Sequence, residues 1–167
     1  WQVIEALWTA DRRDLNAPVC VQTLYNLFYR QDERELMPAC RRYGLSMVLF
    51  SPLAGGLLSG RYAPGAPPPA GSRGQFTRGE RGRPAATPLL VEPYLSASQR
   101  LVALARDRGQ TASQLALAWL LSHPEVAAVI TGAGSPGELD ENAKAADVTL
   151  TPEDVTALEG LLPSSTM

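Results

Sequence analysis

The sequence has few cysteines, no long apolar run and no excess of one charge sign. Its two cysteines, Cys20 and Cys40, cannot form a disulfide framework and lack the spacing of metal ligands. No apolar stretch approaches the roughly 18 residues that a membrane span requires. A net charge of −2 gives no reason to expect nucleic acid or an anionic membrane as a partner. We therefore expect a cytoplasmic protein with reduced thiols and without a metal, nucleic-acid or membrane partner.

The side chains of common catalytic sets are also scarce. The single histidine, His123, precedes Pro124 at a predicted helix end, where a structural role is favoured. No Ser-His-Asp set, P-loop or G-x-G-x-x-G motif can be assembled from this sequence. No residue of this chain is therefore predicted to be catalytic.

The overall composition is that of a globular protein. With 45% apolar and 19% charged residues, a disordered chain is excluded. A length of 167 residues is enough for one hydrophobic core. The chain begins with Trp1 inside an amphipathic helical pattern, so we expect it to be a fragment or to have lost its start.

Apolar periodicity predicts helices that alternate with short strands. Strands are predicted at 19–25, 46–50 and 126–130. Helices are predicted at 1–12, from Asp32 to Gly44, at 93–108, at 112–121, from Ser135 to about 146, and from Thr151 onward. Strands separated by helices indicate an α/β fold with parallel strands, because crossovers of this kind are right-handed. The alternation leaves open whether the sheet is part of a barrel or a small open sheet.

Capping residues mark the predicted helix ends. Gly44 is expected to end its helix in a left-handed conformation. The segment 115–121 is apolar all round, so the helix that contains it should be buried. The predicted helix starts pair a Ser, Thr or Asp with a following acid, amide or proline: Asp32 with Glu35, Thr111 with Gln114, Ser135 with Pro136 and Glu138, and Thr151 with Pro152.

A Gly-, Pro- and Arg-rich stretch interrupts the alternation of strands and helices. We predict a flexible loop at 63–90, which would be a functional lid or a disordered segment. Its arginines could suggest nucleic-acid binding, but no aromatic residues are interleaved with them, so that function is disfavoured.

Three predicted strand ends are candidates for a ligand site, because parallel α/β folds bind ligands at the carboxyl ends of their strands. The first end carries Gln22 and Asn26, and the second continues into 50–56 and Arg61. The third continues into the glycine-containing segment 131–135 and a helix start, where an anion is favoured. An ordinary turn with a good helix cap is the alternative interpretation of that segment.

Two longer motifs resemble the aldo-keto reductase family. The run VQTLYNLFYRQDERELMPACRRYGLSMVLFSPLAGGLLSGRY, which begins at Val21, is similar to the family's segment that ends in SPLaxGxLtG[KR]Y. The run VITGAGSPGELDENAKAAD, which begins at Val129, is similar to the family's vIPGa segment with QLxEN. The resemblance covers nearly the whole chain. It is closest to the aryl-alcohol-dehydrogenase-like and potassium-channel β-subunit-like branches.

The resemblance implies a fold and an activity. The fold is a (β/α)8 TIM barrel, of which 1–167 would form a partial domain, the C-terminal part with about strands 6–8 and their helices. The activity is NAD(P)H-dependent reduction of aldehydes and ketones, with a small carbonyl compound as substrate. The family's catalytic aspartate, tyrosine, lysine and histidine lie on earlier strands, upstream of Trp1. The chain is thus expected to need the N-terminal half of the barrel, and its bare strand edges to favour self-association.

The resemblance also implies a cofactor site. Gln22 would hydrogen-bond the nicotinamide carboxamide, and Phe50 would stack on the nicotinamide ring. The segment 63–90 would be a strap over the cofactor. The residues implied to contact the cofactor are Gln22, Phe50, Ser51, Pro52, Leu53, Gly55, Arg61, Gly132, Gly134, Ser135, Glu138, Glu141 and Asn142.

Two departures from the family pattern concern the cofactor. Gly134 stands where many relatives have serine or arginine, and Glu138 stands where they usually have glutamine. The resemblance implies NADP as the cofactor, but a carboxylate near its 2′-phosphate is repulsive, so NAD stays open as the alternative. A second functional interpretation also stays open, namely a non-catalytic nucleotide-binding regulatory module of the channel β-subunit type.

Overall fold

Three parallel strands lie at the centre of the fold in the computed structural model, which describes residues 1–75 and 89–162. They are β1 (Cys20–Leu24), β2 (Ser46–Phe50) and β3 (Val126–Ile130), hydrogen-bonded in the order β1-β2-β3. Both strand pairs are parallel. The predicted α/β fold with parallel strands is therefore confirmed, with β1 one residue shorter at each end than predicted.

Helices pack on one face of this sheet. Short 3-10 helices occur at Gln31–Glu33, Ala54–Ser59, Arg73–Gln75 and Lys144–Asp147. The α-helices are α1 (Gln2–Arg12), α2 (Leu36–Tyr43), α3 (Tyr94–Asp107), α4 (Ala112–Leu121), α5 (Pro136–Ala143) and α6 (Pro152–Glu159). Of the predicted loop at 63–90, residues 76–88 lie outside the described part of the chain.

Most of the predicted helix caps are confirmed. Thr111 accepts from the backbone N–H of Gln114, whose side chain accepts from the Thr111 N–H, and Thr151 begins α6 with the same reciprocal pair. Gly44 ends α2 with φ of 70°, in the left-handed region that glycine adopts without strain. The predicted helix to about 146 is α-helical only to Ala143 and then tightens into the 3-10 turn.

The predicted helix start at Asp32 is wrong. The Asp32 carboxylate accepts a hydrogen bond of 2.7 Å from the hydroxyl of Thr23 on β1, so it is not available to cap a helix. The chain instead forms the 3-10 turn at Gln31–Glu33, and α2 begins at Leu36, four residues after Asp32. Glu35 occupies the N-cap position without a side-chain cap hydrogen bond. A tertiary contact to β1 thus overrides the local capping pattern.

The hydrophobic core lies between the helices and one face of the sheet. Met47 and Leu49 of β2 point to this side and are fully buried. They share the core with Trp119 and Leu120 of α4, a helix that contacts both β3 and α3. The apolar run 115–120 of α4 is buried, as the sequence predicts, whereas Leu121 at the helix end is exposed. None of the described helices is long and apolar enough to cross a membrane.

A buried polar cluster fastens the end of β1 to this core. The Tyr25 hydroxyl donates to Glu33 at 2.6 Å and lies 2.9 Å from Nε2 of His123. The Tyr25 ring stacks on Trp119 with centroids 5.5 Å apart. Burial raises the pKa of Tyr25 far above its usual range, and burial lowers the pKa of His123. The aromatic and hydrogen-bond contacts of His123 are those of a packing residue.

The opposite face of the sheet is open. The strand register places Gln22, Val48 and Ala128 side by side, and Phe50 beside Ile130. Phe50 is 40% exposed and Ile130 is 49% exposed, whereas their neighbours on the helix side, Leu49 and Val129, are buried and partly buried. The described residues therefore cover only one face of the sheet. The other face and the carboxyl edge are accessible to a ligand or to further protein.

Candidate functional site

The carboxyl ends of the three strands meet at one edge of the sheet. The register pairs Leu24 with Phe50 and Phe50 with Ile130, so the three strands end level with one another. Gln22 is exposed on the open face, on the strand next to that of Phe50. The ring of Phe50, at the centre, therefore has a free side on the open face. This geometry places the predicted nicotinamide-contacting pair, Gln22 and Phe50, on the same surface.

The loop that leaves β2 has an unusual backbone. Ser51 and Ala54 adopt positive φ angles of 57° and 48°, which residues with a Cβ rarely do. Gly55 and Gly56 follow with φ of 69° and 98°. Such conformations cluster at functional sites, because the surrounding structure must hold them against their intrinsic cost. Pro52, also predicted to be in the site, is a buried residue of this loop.

Two buried side chains hold this loop in place. The amide nitrogen of Asn26, at the end of β1, donates to the carbonyl of Ser51 at 3.0 Å. The Tyr62 hydroxyl donates to the carbonyl of Gly55 at 3.1 Å and accepts from the N–H of Gly74 at 3.0 Å. Asn26 and Tyr62 therefore position the site without facing a ligand. The tyrosine belongs to the RY pair that ends the first motif, a signal that could have identified it.

The loop that leaves β3 is small and accessible. Gly132 and Gly134 are both exposed. A Cβ built on Gly132 would meet only Nη2 of Arg73, at 4.0 Å. Ser135 begins α5, and its hydroxyl accepts from the N–H of Glu138 at 3.2 Å. The backbone here is open to close approach by an anion, beside the partial positive charge of a helix start.

Arg73 is a site residue that the sequence reasoning missed. Arg73 lies in the Gly-, Pro- and Arg-rich stretch, and its guanidinium lies beside Gly132 at the end of β3. The Gly74–Tyr62 hydrogen bond fixes the turn at Arg73–Gln75 that carries it. The sequence separation from Gly132 gives no hint of this proximity, because it depends on how the long loop folds back.

An ion pair joins the second and third strand ends. Nη2 of Arg61 lies 3.0 Å from one carboxylate oxygen of Glu138, and the other oxygen accepts from the N–H of Gly134 at 2.6 Å. The hydrogen bond from Gly134, together with the charge of Arg61, lowers the pKa of Glu138 below its usual range. The Arg61 side chain is 42% exposed and the Glu138 side chain is 45% exposed, so the pair lies at the surface of the site.

The remaining predicted residues lie on α5. The amide nitrogen of Asn142 donates to the Thr131 hydroxyl at 3.3 Å, so this nearly buried side chain ties α5 to the end of β3. Glu141 is half-buried, and its backbone carbonyl accepts from the Gln114 side chain at 3.2 Å. Leu53, the last predicted residue, packs partly against the core. The structure thus brings the predicted residues to one edge, with Asn142 facing inward.

The chemistry of this edge fits a nicotinamide dinucleotide. It offers an exposed aromatic face, an exposed primary amide, two guanidinium groups and a glycine-containing helix start. Aromatic and amide groups suit a nicotinamide ring, and guanidinium and backbone N–H groups suit a pyrophosphate. The Glu138 carboxylate is the one group of this set that does not suit an additional phosphate. Its hydrogen bonds already use the Gly134 N–H and Arg61.

Comparison with known proteins gives a consistent result. The family model described as "Aldo/keto reductase family" matches residues 1–163. The chain is 41% identical over 98% of its length to a probable voltage-gated potassium channel subunit beta of Oryza sativa subsp. japonica, of which it covers 49%. It is 35% identical over 80% of its length to an L-glyceraldehyde 3-phosphate reductase of Escherichia coli (strain K12), of which it covers 38%.

A third relative is the oxidoreductase YrpG of Bacillus subtilis (strain 168), 31% identical over 98% of this chain and 46% of that protein. The chain therefore spans about half the length of the curated relatives it matches.

Proposed function

Because this chain belongs to the aldo/keto reductase family, we propose that it forms the nicotinamide dinucleotide site of an NAD(P)H-dependent reductase of aldehydes and ketones. The observation that carries this proposal is the edge of the sheet itself. There, the exposed Phe50 and Gln22 lie on one surface. The guanidinium of Arg61 follows the loop after β2, and that of Arg73 lies beside Gly132 in the loop after β3. The family is one of (β/α)8 barrels, and a three-stranded parallel sheet with helices on one face is consistent with part of such a barrel.

The arrangement within the barrel is part of the proposal. We assign β1, β2 and β3 to about strands 6–8, with the open face of the sheet toward the barrel interior. Residues 1–167 would then be a partial domain whose uncovered sheet face is completed by the N-terminal half of a barrel. The exposed Val19 beside β1, at 76%, fits an edge that another strand would cover.

Each residue at the edge has a role in holding the cofactor. Gln22 would donate to or accept from the nicotinamide carboxamide, and Phe50 would support one face of the ring. The backbone of Ser51–Gly55 and the charges of Arg61 and Arg73 would hold the pyrophosphate. The bound dinucleotide would supply the hydride. Within this proposal, the general acid would come from the remaining half of the barrel, since the Tyr25 hydroxyl is held by Glu33 and His123 behind the sheet.

The substrate and location follow from the same proposal. A small carbonyl compound would approach the exposed side of the nicotinamide ring, opposite Phe50. Cys20 and Cys40 are both free thiols, which suits a reducing compartment, and we propose the cytoplasm.

A second function uses the same site without turnover. The Oryza sativa relative and an Arabidopsis thaliana relative, 39% identical over 98% of this chain, are both named as probable voltage-gated potassium channel β subunits. On that interpretation the chain would be part of a regulatory module that binds the nucleotide. The two functions share the cofactor site and differ in whether a carbonyl compound is reduced.

Replacing Phe50 with alanine tests the proposed site. Since stacking of a base on an aromatic side chain is worth about 1–3 kcal/mol, we expect Phe50→Ala to weaken NADH binding by roughly tenfold or more. The measurement is isothermal titration calorimetry of the purified chain. Tyr43→Ala is the matched control, because Tyr43 is also an exposed aromatic residue, at 50% against 40% for Phe50, but it ends α2 at the opposite edge of the sheet. Equal affinities for all three proteins would refute the site.

A further inference from the structure

The side chain of Asn26 reaches from the end of β1 to the first residue of the loop after β2. Asn26 is 2% exposed, and its amide nitrogen donates to the carbonyl of Ser51 at 3.0 Å. Its amide oxygen accepts from the N–H of Phe28 at 2.9 Å, which fixes the orientation of the amide group and leaves the nitrogen to face Ser51. The contact therefore cross-links the segments that follow two neighbouring strands.

The backbone around Asn26 is held on both sides. Its N–H donates to the carbonyl of Tyr29 at 3.2 Å, and its carbonyl accepts from the N–H of Tyr29 at 2.9 Å. The preceding residue, Tyr25, is fully buried, with its ring stacked on Trp119 and its hydroxyl bound to Glu33. Because the end of β1 cannot shift without disrupting these contacts, the amide of Asn26 is a donor at a fixed position.

Ser51 has a backbone conformation that its own sequence disfavours. Its φ of 57° lies in the left-handed region, which residues with a Cβ rarely adopt. Ser51 also precedes Pro52, and the proline ring favours an extended conformation of the residue before it. The Ser51 carbonyl accepts from the N–H of Ala54 at 3.1 Å as well as from Asn26. These two donors hold the residue against its intrinsic preference.

The direction of the Ser51 carbonyl matters for an anionic ligand at this edge. The carbonyl points to a buried amide, so its partial negative charge is turned into the protein. Phe50 precedes Ser51 directly, and Leu53 and Gly55 follow it closely. The conformation of Ser51 therefore sets where the aromatic ring and the loop backbone lie relative to each other. An extended Ser51 would release its carbonyl from Asn26 and redirect the loop.

We propose that Asn26 is a positioning residue of the dinucleotide site, whose amide holds Ser51 in the left-handed conformation and so fixes the loop after β2 for the ligand. This inference rests on the proposed function, in which the backbone of that loop binds the pyrophosphate. Asn26 does not touch the ligand. Its effect on binding passes through the φ angle of Ser51, which distinguishes it from a residue that only stabilises the fold.

The test is a double-mutant cycle in the 167-residue chain, with the affinity for NADH measured by calorimetry. Asn26→Ala is expected to weaken NADH binding by about tenfold, the population shift that corresponds to the strain of one left-handed residue. Ser51→Gly keeps the loop backbone and removes the Cβ that makes a positive φ costly. In the Ser51→Gly background, Asn26→Ala should therefore have a much smaller effect on the affinity.

A second measurement needs no ligand. The ¹³Cα and ¹³Cβ chemical shifts of Ser51 report its backbone conformation. They are expected to change toward extended values in Asn26→Ala, because the donor that holds the carbonyl is gone. Unchanged shifts in this variant would contradict the positioning role.

Thr23→Val is the matched control. Thr23 lies on β1, and its hydroxyl donates to Asp32 at 2.7 Å, so the substitution removes one hydrogen bond of the same strand at nearly constant volume. It should lower the melting temperature, measured by circular dichroism, and leave the NADH affinity and the Ser51 shifts unchanged. If Thr23→Val weakens NADH binding as much as Asn26→Ala does, the effect is one of general stability, and the role of Asn26 is refuted.

Asn26→Asp replaces Asn26→Ala if the alanine variant does not fold. The aspartate keeps an acceptor for the N–H of Phe28 and lacks the amide donor to Ser51. It should weaken NADH binding as Asn26→Ala does. Failure of both variants to fold would show that Asn26 maintains the fold as a whole, and it would overturn the proposal.

The remaining outcomes separate this inference from the proposed function. If NADH binds and Asn26→Ala leaves its affinity unchanged, the positioning role is wrong and the dinucleotide site stands. Equal losses of affinity with and without Ser51→Gly also overturn the role, because Asn26 would then not act through the φ angle of Ser51. If NADH binds to none of the proteins, the dinucleotide site is wrong, and the positioning role falls with it.

Discussion

The isolated 167-residue chain is expected to leave NADH and NADPH unoxidised in the presence of 4-nitrobenzaldehyde. The same chain refolded with the N-terminal half of a barrel is expected to oxidise them. In the proposed function, the chain offers one side of the cofactor site, through Phe50 and Gln22, and no residue to which we assign proton donation. General acid catalysis contributes about 10²–10⁴-fold, and positioning of the reactants contributes more. Without both, turnover should fall below detection.

The partner for this experiment is the segment of the Escherichia coli L-glyceraldehyde 3-phosphate reductase that precedes the matched region. Loss of absorbance by the reduced nicotinamide is followed for each half alone and for the refolded mixture. The mixture containing Phe50→Ala serves as the control for use of the proposed site. Turnover by the isolated chain would contradict the assignment of the catalytic groups to the other half. An inactive mixture that nevertheless binds NADH would favour the regulatory function.

Replacing Gly60 with alanine is expected to cause a large loss of stability. Gly60 follows the 3-10 helix of the site loop with φ of 75°, and its Cβ would lie only 2.4 Å from a methyl group of Val102 on α3. The left-handed conformation costs alanine about 1–2 kcal/mol, and overpacking adds about 1–3 kcal/mol. We expect the free energy of unfolding to fall by their sum, roughly 2–5 kcal/mol, as measured by urea denaturation.

Gly65 provides the control for the backbone part of this cost. It has nearly the same φ, 74°, but a Cβ there would meet no atom of the described residues within 4 Å. Gly65→Ala should therefore lose only the conformational contribution of about 1–2 kcal/mol. Equal losses for the two variants would show that α3 does not press on the end of the site loop as the structure indicates.

The fold was largely predictable because its signals are local. The strands at 46–50 and 126–130 were predicted to the residue, and the caps at Thr111 and Ser135 have the predicted partners. Alternating apolar runs and capping pairs depend on neighbouring residues, which the sequence displays directly. Asp32 shows where this reasoning ends, because its carboxylate prefers the hydroxyl of Thr23, a partner nine residues away on β1.

The position of the candidate residues at one edge of the sheet was predictable, whereas the contacts between them were not, and their roles toward a cofactor stay predictions. The strand-end rule and the two motifs predicted Phe50, Arg61 and Glu138 as members of one edge. They could not predict that Arg61 would pair with Glu138 across 77 residues, nor that Arg73 would return to Gly132. These contacts depend on the path of long loops, which no periodic pattern encodes.

The most direct measurement of the central claim is a titration of the ¹⁵N-labelled chain with NADH, followed by two-dimensional ¹H–¹⁵N spectra. The account predicts that the backbone amide signals of Phe50, Leu53, Gly132 and Gly134 shift together, because all four lie at the carboxyl edge of the sheet. The signal of Gly44, at the opposite edge, should stay in place. Shifts centred on that opposite edge, or none at saturating NADH, would contradict the claim that this chain holds a nicotinamide dinucleotide at its strand ends.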